Sequence, residues 1–481
     1  MPRVASLATS SAGALACALA TAPHAAAGAP APSVSRDSST APSPVPRDSY
    51  PASSPVPRDS RTRPSPATER ALAGPLTIDH AVAVALAHNP GLRAAAHRVR
   101  GQSLLAEAEG KPAGPMLSLD IWQVPLARPW AIHESPMVML ALRQPIAPAG
   151  LLRRRAAARR HEAEAGSAER DIQAQALTLA VRHAFIDYAA VTARHVLHVE
   201  HQEVSERVLE LARARQTVSG TLLDIARAET EAARAHTEVA TDATTIDAAR
   251  IRLNSLLARP PDAPLGPPVP MPVETAAADA VDLIARARDE RPERRAATSR
   301  RDAAAMDLQA ARREANMPAA DVGLAYFPST RVMPYNGYGL LVNVSLPWLS
   351  GQGRKRRDAA SEFAAAAVDE LADAALKIDR EVAEALAATQ TAARRWQTLR
   401  GAALPASVRA REVALSGYEV GRADMLGMLA AEGAYVEISL EIIDARAALD
   451  HALAELERAS GDTLPRTPLL PTDPHAHGGT R

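Results

Sequence analysis

The sequence predicts a mostly α-helical protein with a small β part, built as two internal repeats of two strands and a long helical hairpin. Three observations predict it. Landmarks recur at one spacing: Pro90 and Pro292, Pro145 and Pro347, and Arg153-Arg154-Arg155 and Lys355-Arg356-Arg357 are each 202 residues apart. Alanine dominates the apolar share, with Arg and Glu between, while aromatic residues make up only 3%, a mix suited to long helices packed through narrow faces. Finally, short runs in each repeat alternate apolar and polar residues. The stretches after them, 70 residues from Gly150 to Gly220 and 70 from Gly351 to Gly421, carry helical patterning with little interruption.

Taken in chain order, residues 1–27 read as a secretory signal peptide. Arg3 supplies the positive region, Val4 to Ala22 an apolar core and Ala25-Ala26-Ala27 a cleavage site. The stretch GALAC also resembles a lipoprotein signal that would be cleaved before Cys17 and lipidated there. Both routes stay open, with ordinary cleavage favoured. Cys17 is the only cysteine, so no disulfide framework exists. Residues 28–75, rich in Pro, Ser, Ala and Arg and repeating SPVPRDS, read as a disordered tether.

The first repeat is expected over residues 76–260. Thr77 or Asp79 caps an opening helix, Asn89-Pro90 breaks it, and Pro90 starts the next. Leu117, Leu119 and Ile121 alternate with Ser118, Asp120 and Trp122. Val138, Leu140 and Leu142 alternate with Met139, Ala141 and Arg143. Both runs read as strands with one apolar and one more polar face. In the long helices Ala190, Leu197, Val204, Leu211 and Val218 are spaced by seven, as are Ile225, Ala232, Val239, Ile246 and Leu253, so coiled-coil-like seams are expected. A Pro-rich connector, residues 261–278, leads to the second repeat, residues 279–461. There Leu340, Val342, Val344 and Leu346 oppose Leu341, Asn343 and Ser345. Leu371, Ile378, Ala385, Ala392 and Leu399 form the matching seam, and Pro405 should bend the second long helix. Residues 462–481 read as a disordered tail.

The formal net charge is zero, with 55 basic and 55 acidic residues, which gives no reason to expect nucleic acid. No run of about 20 apolar residues appears, so no transmembrane helix is expected; β-barrel strands leave a weaker trace. Four amphipathic strands do not close a barrel alone, and open edges are not tolerated in lipid. Three chains together would supply twelve strands.

The ordered phrases HNPGLRAAA, LPWLSGQGRKRR and YEVGRADML, set in duplicated units, resemble the TolC-type outer-membrane efflux protein family over about residues 76–461. The resemblance implies a trimeric twelve-stranded β-barrel joined to an α-helical barrel. The implied location is the outer membrane of a Gram-negative bacterium, with a periplasmic helical extension. It implies a passive exit duct of a tripartite efflux pump, no enzyme and no cofactor. The implied partners are two further copies of the chain, a periplasmic membrane-fusion adaptor, an inner-membrane pump of the resistance-nodulation-division type and outer-membrane lipid. The phrases LALRQPIAPAG and NVSLPWLSGQG resemble the heavy-metal branch, which implies metal ions as cargo. Two other readings remain: the outlet of a type I protein-secretion system, and a periplasmic coiled-coil adaptor or scaffold.

The same resemblance implies adaptor contact at the hairpin tips, through Val218, Gly220, Thr221 and Leu222 in the first and Val420, Gly421, Arg422 and Ala423 in the second. The simpler reading of these glycines is helix reversal. Some family members place two gate carboxylates six and nine residues after the glycine. Here those places hold Gly427 and Ala430. Asp424 and Glu432, with Asp224 and Glu229 on the other hairpin, are the nearby substitutes; helix capping and solvated charge compete as explanations. The basic clusters sit where strand becomes helix, where charge would keep the joint out of lipid. His195, His198 and His201 are three apart, but a span of six puts the outer two on different helix faces, so they do not share one metal ion. No metal site is assigned. His161 begins HEAEA, which lacks the second histidine of a metalloprotease helix, and no phosphate loop or nucleophile elbow is present.

Overall fold

A computed structural model describes residues 65–124, 127–130, 135–215, 221–276, 279–331, 333–461 and 466–468. The leader, Cys17 and most of the tether and tail lie outside the described residues. The ordered chain starts earlier than the composition suggested. Helix α1 (Pro66–Ala73) lies within the stretch read as tether: Ser65 accepts from the Thr68 amide, Pro66 opens the first turn, and Leu72 is fully buried. One well-placed leucine and the pairing of Glu69 with Arg259 (3.0 Å) anchor a segment whose average composition is that of a linker.

Helices α2 (Ile78–His88) and α3 (Pro90–Glu109) follow. Thr77 caps the first and Asn89 the second, its side chain accepting from the Gly91 and Leu92 amides. Strands β1 (Met116–Trp122) and β2 (Met137–Ile146) lead into α4 (Leu151–Arg215), an unbroken helix of 65 residues, or about 100 Å at 1.5 Å per residue. Helix α5 (Leu222–Leu256) returns beside it. The second repeat copies the order with α6 (Ala280–Glu290), α7 (Pro292–Asn316), β4 (Ala319–Phe327), β5 (Gly337–Ser345), α8 (Gln352–Thr398), α9 (Leu404–Glu419) and α10 (Met425–Ser460). Between α8 and α9 the chain makes a π-helical turn, Leu399–Ala403, immediately before Pro405.

Each repeat has its own core. Leu72, Leu76, Val84, Phe185, Tyr188 and Leu253 pack together in the first, and Leu283, Ile378, Val382, Leu386 and Leu456 in the second. The helical seams fall on a partly different register from the heptads expected. On α5 the buried residues are Ala228, Ala235, Leu253 and Asn254, while Ile225, Ala232, Val239 and Ile246 are half-buried. On α8, Val382, Thr389 and Trp396 are buried, with Leu386 and Ala393, while Ala385 and Ala392 flank them. Burial thus follows which face of each helix meets its neighbours, with small residues innermost along much of α5 and large ones such as Val382, Leu386 and Trp396 innermost on α8.

The connector and tail also carry structure. Leu76 donates to the Pro267 carbonyl (2.9 Å), Val269 to that of Leu76 (2.8 Å) and Gly266 to that of Leu72 (2.9 Å), strapping the Pro-rich segment onto the first core. Strand β3 (Glu274–Ala276) pairs antiparallel with β6 (Arg466–Pro468), so part of the tail is held rather than loose. Backbone pairing of this kind needs no particular side chain, which is why composition hides it.

Candidate functional site: the amphipathic sheet and the hairpin ends

Strands β1, β2, β4 and β5 form one antiparallel sheet in that order. Register fixes which side chains share a face. Leu117, Leu142, Leu324 and Leu340 stand opposite one another in a rung across all four strands; Leu119, Leu140, Tyr326 and Tyr338 form the next. Ile146, Ala320 and Val344 continue the same face. These side chains lie on the surface of the chain: Leu117 is 70% exposed, Leu324 and Leu340 69% each and Val342 57%. From Tyr338 to Val344 the face runs about 20 Å along β5, at about 3.3 Å per residue. Such a face is expensive in water and suited to hydrocarbon.

The other face mixes Ser118, Asp120, Arg143, Asp321, Asn343 and Ser345 with a small cluster of Met139, Ala141 and Ala325. Arg143 lies 3.9 Å from Asp120 across the strands. Both outer strands, β1 and β5, have one sheet neighbour each among the described residues.

The joint from strand to helix is the same device twice. Gly150 and Gly351 hold φ of 75° and 70°, a left-handed conformation that glycine takes without a Cβ penalty, directly before α4 and α8. Arg155 pairs with Glu314 and Arg357 donates to Asp358 (2.6 Å). That hydrogen bond holds the Asp358 carboxyl below its ordinary range. Arg354, Lys355 and Arg356 are exposed.

At the far end the two hairpins pack on each other. Val204, Val208 and Ala212 of α4, Ala228 of α5, Tyr418 of α9, and Met425 and Met428 of α10 form one core. Arg215 donates to the Tyr418 carbonyl (2.6 Å) and its guanidinium lies 4.8 Å from the Tyr418 ring centre. Of the expected tip residues, Val218 and Gly220 lie outside the described residues. Thr221 is the N-cap of α5 in a reciprocal capping box with Asp224. Gly421 takes φ of 77°, and Arg422 and Ala423 both donate to the Gly417 carbonyl (2.7 and 3.0 Å). Leu222 and Val420 are 74% and 68% exposed beside this turn, with Leu223 and Leu426 also exposed.

The four acids considered for a gate all have partners within the chain. Asp224 and Asp424 cap α5 and α10. Glu229 accepts from Arg213 (2.8 Å). Glu432 is buried and accepts from Arg411 (2.7 Å). The histidines divide as helix geometry requires: His195 and His198 approach Asp242 of α5 (3.6 and 2.8 Å), whereas His201 turns to Glu231 and Glu432. Sequence reasoning did not single out Arg411, because its partners come from α4 and α10, 211 and 21 residues away.

The described residues define the class: long-helix hairpins hung from an amphipathic four-stranded sheet, the fold of outer-membrane channel proteins. Solved structures agree. A membrane protein from Pseudomonas aeruginosa matches with a TM-score of 0.67 at 23% identity, covering 80% of this chain and 93% of that one. VceC from Vibrio cholerae matches at 0.67 and 19% identity, covering 80% and 96%. CusC matches at 0.68 and 18%, covering 80% and 92%. No curated protein matches significantly in sequence. Residues 283–462 match the outer membrane efflux protein family. That match lies in the second repeat, and the solved structures share the fold across both. No described helix is long and apolar enough to cross a membrane.

Proposed function

We propose that three copies close their sheets into one twelve-stranded barrel in the outer membrane, β1 of one copy pairing with β5 of the next, and that the hairpins join into an α-helical conduit through the periplasm. The exposed leucine rungs support this reading. They need lipid on one side, and lipid tolerates no unpaired strand edge. The mixed face, with Asp120, Arg143 and Asp321, then lines the water-filled lumen. The arms end in tips whose exposed Leu222, Leu223, Val420 and Leu426, flanking Thr221, Gly421, Arg422 and Ala423, meet a periplasmic membrane-fusion adaptor. An inner-membrane pump of the resistance-nodulation-division type drives transport, with metal ions as cargo.

Residues 1–27 are the leader that directs export, with Cys17 as the lipidation point if cleavage falls before it. Residues 28 to about 64 tether the channel. Asp224, Glu229 and Asp424 flank the periplasmic aperture near the tips, while Glu432, buried between helices, acts on the aperture through packing.

Purification of the full chain in detergent tests the duct. A heat-modifiable trimer that conducts ions in a planar bilayer is expected; a stable monomer, soluble without detergent, would sink the proposal. Deletion in the host should lower metal tolerance, and a strain sensitised only to drugs would redirect the cargo.

A further inference from the structure

His201 is 5% exposed and stands between two carboxylates from two different helices. Its Nδ1 lies 3.4 Å from Glu432 Oε1 on α10, and its Nε2 lies 3.4 Å from Glu231 Oε1 on α5. From α9, Arg411 donates to Glu432 (2.7 Å) and to Glu200 of α4 (3.2 Å), over the ring of Tyr435 (4.1 Å). Arg234 approaches Glu231 (3.6 Å) on α5, and the charge of Glu238, also on α5, reaches the imidazole. The carboxylates facing this place are thus Glu200, Glu231, Glu238 and Glu432, and the guanidiniums Arg234 and Arg411. One turn further along, Val204 of α4 and Met428 of α10 begin the core that holds the hairpin ends together.

A neutral imidazole has one N–H. It can donate to Glu432 or to Glu231, and its remaining lone pair then faces the other carboxylate. Only the imidazolium donates to both. The arrangement therefore asks for a proton in order to join three helices at once.

We propose that His201 is a proton latch between the two hairpins: protonated, it ties α4 to both α5 and α10, and on losing the proton it releases one of them and loosens the hairpin ends. The hydrogen bond to Glu432 raises the pKa of His201 above its ordinary value. Burial opposes the shift, and the charges of Glu432, Glu231 and Glu238 reinforce it. A histidine shifted upward contributes its stability in full below the ordinary histidine value and loses it as pH rises through the folded value. Acid therefore locks the hairpin ends, and rising pH frees them as it passes the raised value. The latch lies within one chain and goes beyond the duct reading without depending on it.

Hydrogen exchange on the full chain in detergent tests it, with protection followed in 425–429 of α10 and 222–228 of α5 between pH 5.5 and 8.5 and corrected for the intrinsic effect of pH. In the unmodified chain, protection should fall several-fold as pH rises. His201→Gln should start lower at pH 5.5 and stay flat. Glu231→Gln gives the sharper readout: the new amide can donate to the neutral imidazole, so protection at pH 8.5 should recover toward its acid level. His198→Gln, altering a neighbour whose charged partners among the described residues are Asp242 and Glu238 of α5, should leave the α10 profile as it was. A flat or rising profile in the unmodified chain, an unchanged profile in either His201→Gln or Glu231→Gln, or loss of the α10 profile in His198→Gln would overturn the latch. If His201→Gln does not fold, Glu231→Gln decides alone. Bilayer conductance reads the duct separately, so a conducting trimer with a flat profile sinks only the latch, and a pH-responsive monomer sinks only the duct.

Discussion

The outbound arms of the two hairpins cover nearly the same length of chain from glycine to tip, yet one is a single helix and the other is not. Helix α4 runs 65 residues without interruption, whereas α8 stops after 47, yields to the π-helical turn Leu399–Ala403 and resumes as α9. The residue 202 places before Pro405 is Glu203, within the last third of α4. Proline removes the amide that would bond four residues back, and its ring collides with that carbonyl. Widening the ladder by one residue absorbs both effects. A second pair makes the same point. Asn89 caps α3 with its side chain; one repeat later Arg291 holds the same place, buried, and reaches instead to Glu293 (3.0 Å) and Glu381 (2.7 Å). Duplication has kept the lengths and the joints, while the interiors have diverged and become dependent on each other. His201 from one hairpin meets Glu432 from the other.

Core substitutions should break this comparison most severely. Phe185→Ala in the first core should cost about 4 kcal/mol, and Leu386→Ala, 201 residues further on in the second, about 2–3 kcal/mol, since the smaller side chain leaves the smaller cavity. Denaturant midpoints of the solubilised protein would read both. Equal losses would mean that the first core closes around the missing ring and leaves no larger cavity than the second.

The sheet comes next. Leu142→Arg should cost about 2–4 kcal/mol of membrane stability, whereas Asn343→Arg on the opposite face should cost under about 1 kcal/mol. Heat-modifiability of the assembled protein distinguishes them, and the reverse order would invert the faces. The caps are smaller: Thr221→Ala and Asp424→Ala should each cost about 1 kcal/mol, the first more because its capping box supplies two bonds. Thermal melts read these losses, and a null effect at Thr221 would show that the tip is held by packing alone. Smallest of all, Pro405→Glu, which restores the residue type of the first arm, should change stability by under about 1 kcal/mol while raising exchange protection across 399–403. Unchanged protection there would mean that packing around buried Trp396, and not the proline, holds the π-helical turn.

Much of this was legible because the signals are periodic and local. Alternation gave β1, β2 and β5 and their faces, with Leu117, Leu119, Leu140, Leu142 and Leu340 of the rungs, while β4 with Leu324 alternates too weakly to stand out. The shared spacing gave the duplication, the joints before α4 and α8, and the reversal at Gly421. Of the two caps expected for α2, Thr77 takes the place; Asn89 and Thr221, expected as a break and a tip residue, also prove to be caps. The acids near the tips were read both as gate candidates and as caps or solvated charges. In the folded chain Asp224 and Asp424 cap their helices, and Glu432 has left the surface to meet Arg411.

What the sequence determined by itself is therefore whatever repeats within a few residues: period, cap, turn, joint and the count of repeats. Only tertiary structure decided the rest. The helix seams settled on the faces that meet neighbouring helices, and the connector and tail paired through backbone groups that no residue type announces. Leu72 made a helix out of a linker-like segment. The meeting of His201 with Glu231 and Glu432 depends on three helices arriving at one depth, and that depth follows from packing summed along the whole length of the arms.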